Sequence, residues 1–78
     1  MSKSYARLVR QGWQVRFPGE PSAYALRGKK IPRGCIELFG YRKGALHFML
    51  VRVSPSTIRR LRRIVVELNE LKDRALTP

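Results

Sequence analysis

Acidic residues are scarce in this chain: 5 Asp and Glu stand against 17 Lys and Arg over 78 residues, a net charge of +12. Hydrolytic sites commonly rely on paired carboxylates. Here Glu20 and Glu37 are isolated, and Glu67, Glu70 and Asp73 crowd near the C-terminal end. Cysteine and histidine occur once each, as Cys35 and His47. A single cysteine excludes an internal disulfide and points to a reducing, intracellular and cytoplasmic setting. One Cys and one His are too few for a metal cluster, which needs several such ligands at defined spacings. Nor does any glycine-rich segment have the spacing of a nucleotide-binding loop, so no metal and no cofactor are expected. There is no run of about 18 apolar residues and no charged segment leading into a short apolar one. Neither a membrane span nor a signal peptide is therefore expected.

What is present is a foldable, strongly basic body. The hydrophobic fraction is 44%, that of a globular chain, and 78 residues form one domain (1–78) with a single small core. A homodimer would add a second layer of burial to so small a core. Residues 1–66 hold 15 Lys and Arg against Glu20 and Glu37 alone, or +13, while residues 67–78 carry −1. The charge therefore belongs to the body of the domain and not to a tail.

Ser54 to Leu76 reads as one long amphipathic helix. At 100° per residue, Ile58, Leu61, Ile64, Val65, Leu68, Leu71, Ala75 and Leu76 share a sector of about 140°, with Arg59, Arg60, Arg62 and Arg63 opposite. Ser54 or Ser56 can cap it, and Pro55 suits a first helical position. Four arginines early and three acids late oppose the helix dipole, which favours acids at the N-terminal end. A solvated charged face is one explanation, and an anion-binding face is the other.

In chain order, Met1–Lys3 is expected to fray, and Ser4 to cap a short helix, Tyr5 to Gln11, ended by Gly12. Trp13 to Phe17 alternates as a half-buried strand, and after Pro18, Gly19 and Pro21 a second strand over Tyr24 to Arg27 would complete a hairpin. Cys35 to Tyr41 and Ala45 to Val53 form a second hairpin through Arg42, Lys43 and Gly44. Its second strand is apolar on both sides. It is therefore expected to be central, covered on both faces, or covered on one face and dimerised on the other. The resulting class is α+β: an antiparallel meander of three to four strands, a short N-terminal helix and a long C-terminal helix packed on the sheet. A nucleophilic Cys–His pair would need Cys35 opposite His47. Counting outward from Arg42 and Lys43 as the tip sets Leu38 opposite His47 instead, and no enzyme activity is expected.

Three basic clusters remain: Arg27, Lys29, Lys30 and Arg33; Arg42 and Lys43; and Arg59, Arg60, Arg62 and Arg63, with Arg52 placed to join the last. Exposed Arg and Lys suit phosphate contacts. Two clusters on one face would contact about four to six phosphates of duplex DNA, for a log–log salt slope near −4 to −5 at about 0.9 per phosphate. Trp13, Phe17, Phe39 and Phe48 occupy apolar strand positions and are expected in the core. Tyr24 and Tyr41 flank basic stretches and are the candidates for stacking on bases.

The expected function is that of a small nucleic-acid-binding protein, for DNA or RNA, gripping the phosphate backbone with the helix arginines and basic loops, a regulatory role being one use of such binding. The alternative is a small protein-binding inhibitor or adaptor, of the kind a mobile element carries, whose basic face docks on an acidic or nucleic-acid-binding protein surface. Docking of the helix on a membrane is disfavoured, because its apolar sector is needed to cover the sheet.

Overall fold

A computed structural model describes residues 4–76; Met1–Lys3, residues 77–78 and the side chain of Leu76 lie outside that description. The elements run α1 (Tyr5–Arg10), β1 (Gln14–Arg16), β2 (Cys35–Arg42), β3 (Ala45–Arg52) and α2 (Pro55–Leu76). The class is α+β, and the meander is antiparallel with the strand order β1-β2-β3.

Local chemistry fixes the helix ends. Ser4 Oγ accepts the Arg7 N–H at the start of α1. At its other end the Trp13 N–H donates to the Leu8 carbonyl and the Gly12 N–H to that of Val9, with Gly12 at φ +109°. This is the paired arrangement that lets a left-handed glycine close a helix. Ser54 Oγ accepts the Thr57 N–H and Pro55 takes the first position of α2.

Both helices cover one face of the sheet. Ala6 and Val9 of α1, Val15 and Phe17, Ile36 and Leu38 of β2, and Leu61 and Ile64 of α2 form one buried cluster. Ile36, Leu38 and Leu61 are fully enclosed, and burial of each contributes about 1.5–3 kcal/mol. The apolar stripe of α2 is covered only as far as Leu68; Leu71 and Ala75 are exposed. At about 1.5 Å per residue a 22-residue helix is about 33 Å long, longer than the sheet it crosses. No helix among the described residues is long and apolar enough to cross a membrane.

Three strand expectations are corrected. Tyr24–Arg27 is not a strand: the partner of β1 is β2, with Gln14 opposite Phe39 and Arg16 opposite Glu37. The segment expected to run beside β1 is held elsewhere by its own backbone N–H groups, as described below. Secondly, β3 is an edge strand and not a central one. Its Met49 and Val51 pack toward the helices, while Phe48 on the other side is 50% exposed. Thirdly, the β2–β3 register lies two residues from the one counted from the sequence. Arg42 pairs with Ala45, leaving Lys43 (φ +53°) and Gly44 (φ +78°) as the two-residue turn. Two consecutive positive φ angles are what the right-handed twist of a tight hairpin demands. Gly40 thus lies opposite His47 and Leu38 opposite Met49.

Candidate nucleic-acid interface

Residues directly opposite in an antiparallel pair project to the same face. The register therefore sorts the sheet into a helix-covered face, holding Ile36, Leu38, Met49 and Val51, and an outer face, holding Glu37 and Leu50, Phe39 and Phe48, Tyr41 and Leu46. The outer face is organised by Glu37, an acid inside a strand and fully buried. Its carboxylate accepts four hydrogen bonds: from Ser22 Oγ at 2.7 Å and from the N–H groups of Ala23 at 2.6 Å, Tyr24 at 3.0 Å and Ala25 at 2.6 Å. Burial by itself raises the pKa of this group. The donors from Ala25, Ser22, Ala23 and Tyr24 outweigh that penalty and hold the carboxyl below its ordinary value, so it is ionised at neutral pH.

Glu37 thereby fastens a lobe over part of the outer face. Gly19 and Ile31, Pro21 and Lys30, and Ser22 and Lys29 are joined across the lobe by backbone pairing. Arg27 and Gly28, both at positive φ, turn its tip. The lobe carries exposed Arg27, Lys29 and Lys30. It also brings Tyr24 onto the sheet, stacked with Phe48 at 5.6 Å between centroids and edge-on to Phe39 at 5.2 Å. The Arg16 guanidinium lies 5.4 Å from the Phe39 ring centre. Tyr41, 74% exposed, stands on the same face toward the hairpin end. Beside it a cleft of about 320 Å³ is lined by Gln11, Trp13, Gln14, Tyr24, Phe39 and Tyr41.

The three sequence clusters do not converge. Arg33 and Arg52 lie at one end of the hairpin, where Val53 N–H donates to the Gly34 carbonyl, and Arg42 and Lys43 lie at the other. Eight strand residues separate those ends by about 24 Å. Arg52, opposite Cys35, belongs to the outer face and not to the helix cluster it was expected to join. The helix arginines lie in the other layer, and they diverge among themselves. Arg60 and Arg62 project about 160° apart around the axis at 100° per residue, so they occupy opposite flanks. Arg62 is packed 4.4 Å from the centre of the Phe17 ring, a task within the fold that the sequence pattern did not disclose.

Cys35 and His47 are kept apart. They pair with Arg52 and Gly40 respectively, five positions from each other along β2 and on opposite faces. Among the described residues no three His, Cys, Asp or Glu side chains come close enough to hold a metal ion.

Sequence reasoning missed two residues of this face. Phe48 lies on this face and not in the core its apolar strand position predicts, because Leu46, Phe48 and Leu50 form one of two apolar rows and the helices cover the other. Glu37 carried only a faint signal, a lone acid between Ile36 and Leu38. Comparison of the chain with protein-family models, with curated proteins and with solved structures produced no match in any of the three.

Proposed function

We propose that the protein binds nucleic acid through its phosphate backbone. The observation that carries this reading is the uncompensated positive surface. Among the described residues up to Val66, thirteen of fourteen Lys and Arg are exposed. Of the two acids there, Glu37 is buried on hydrogen bonds of its own, and the Glu20 carboxylate accepts the Phe17 N–H. A surface with cations dispersed over both layers and almost no exposed acid among them attracts a polyanion over long range. On this reading the lobe cations, Arg16 and Arg52 contact one backbone across the outer face, while Arg59, Arg60 and Arg63 offer a separate contact on the helix layer. Phosphate contacts of this kind give affinity without selecting a sequence.

The test is a fluorescence-anisotropy titration of purified, nuclease-treated protein with labelled single-stranded DNA, single-stranded RNA and duplex DNA. A labelled polyglutamate peptide of equal charge serves as a surrogate for an acidic protein surface. Binding to at least one nucleic acid well above binding to polyglutamate is the expected result. Equal or tighter binding to polyglutamate would transfer the basic surface to a protein partner.

A further inference from the structure

The outer face carries more than charge. Phe48 and Tyr41 are large rings that remain 50% and 74% exposed; Phe48 is stacked on Tyr24 over part of its surface and offers the rest to solvent. They are diagonal neighbours on adjacent strands, a spacing of about 7–8 Å that suits successive splayed nucleotides. Tyr24 continues the ring surface toward the lobe, and the cleft beside Tyr41 is walled by Trp13, Tyr24, Phe39 and Tyr41 with the amide side chains of Gln11 and Gln14 at its edge. Arg16 and Arg52 project from the same face, and the lobe that supplies Tyr24 carries the exposed Arg27, Lys29 and Lys30.

We infer that this face binds single-stranded nucleic acid, its unpaired bases stacking on Phe48 and Tyr41 while Arg16, Arg27, Lys29, Lys30 and Arg52 hold the phosphates. The inference deepens the nucleic-acid reading above and rests on it. Flat, sequence-tolerant stacking beside a basic track is the chemistry of single-strand recognition. A duplex presents its phosphates but keeps its bases inside the stack, out of reach of an open sheet. A second copy of the chain is disfavoured as the occupant: its +12 would be brought against +12, and the one acid in the strands of this face is enclosed. An acidic peptide would match the charge and leave the rings unfilled.

The experiment compares 12-nucleotide single-stranded DNA and RNA with the 12-base-pair duplex, for wild type, Phe48→Ala, Tyr41→Ala and Phe48→Tyr, at a temperature where circular dichroism shows each variant folded; duplex binding controls for the Tyr24 stacking that Phe48→Ala removes. Phe48→Ala and Tyr41→Ala are each expected to weaken single-strand binding about tenfold or more, with duplex binding unchanged. Phe48→Tyr is expected to retain wild-type affinity. Emission from Trp13, the only tryptophan, should be quenched by the single strands and not by the duplex. Equal losses for both substrates, or no loss from Tyr41→Ala, would overturn the single-strand assignment while leaving phosphate binding intact. Absence of binding to any nucleic acid would overturn both.

Discussion

The Ser22 hydroxyl donates to the Glu37 carboxylate at 2.7 Å, and its oxygen in turn accepts the Leu26 N–H at 2.9 Å. This relay, with the three N–H groups beside it, turns residues 22–26 into a cap folded over a single buried charge. A strand pairing of the same segment would have left Glu37 buried without partners. The cost of an unpaired buried ion is several kcal/mol, far more than a short edge strand returns.

Glu37→Gln should therefore be among the more damaging single substitutions. Gln has one acceptor oxygen where four donors converge, and its amide N–H group would face N–H groups. Loss of hydrogen bonds to a buried charge amounts to about 2–3 kcal/mol, or a fall in Tm of about 10–20 °C for a domain of this size. Thermal unfolding followed by circular dichroism measures it.

The same group gives a pH dependence of defined sign. The folded-state pKa of Glu37 lies below its ordinary value, so its stabilisation is complete above the unfolded-state value, about 4.3, and is lost as pH falls through the folded-state value. The Tm advantage of wild type over Glu37→Gln should be steady from neutral pH to about 5 and shrink below that. An advantage that did not change with acidification would contradict this role.

Gly40 is needed for want of a side chain. A Cβ there would lie 2.8 Å from Cγ and 2.9 Å from Cδ2 of Trp13. Gly40→Ala should displace the indole, lower stability by about 1–3 kcal/mol and shift Trp13 emission to the red as the ring moves toward water. Unchanged emission and stability would contradict this close contact between Gly40 and Trp13.

Arg62 should separate from its neighbours. Its guanidinium over Phe17 is worth about 0.5–1 kcal/mol, so Arg62→Ala should lower Tm by a few degrees. Arg59→Ala and Arg63→Ala, which point away from the sheet, should leave Tm within about a degree of wild type. Denaturation curves of the three variants decide the matter.

Much of this architecture is legible in the chain because it is written locally. Ser4 and Gly12 bracket the first helix, Ser54 and Pro55 open the second, and Leu61, Ile64 and Leu68 mark its covered stripe. Pairing across distance is less legible. Gln14–Arg16 reaches β2 over an intervening lobe, and nothing in Tyr24–Arg27 announces that its N–H groups serve a carboxylate more than ten positions away. The register differs by two from the sequence count because the turn needs both Lys43 and Gly44 at positive φ, and only glycine advertises that conformation. The exposure of Phe48 is not legible because apolar character alone does not say which of two apolar rows the helices will cover. The clusters are visible as charge but not as a surface, since strand ends and layers decided where each went.

The most direct test of the central claim is the salt dependence of oligonucleotide affinity, for wild type and for the combined variant Arg27→Ala, Lys29→Ala, Lys30→Ala. A polyanion held by the exposed cations gives a log–log slope of about −3 or steeper in wild type, which the variant should make shallower by about 2 to 3. A slope near zero, or no binding at low salt, would contradict it.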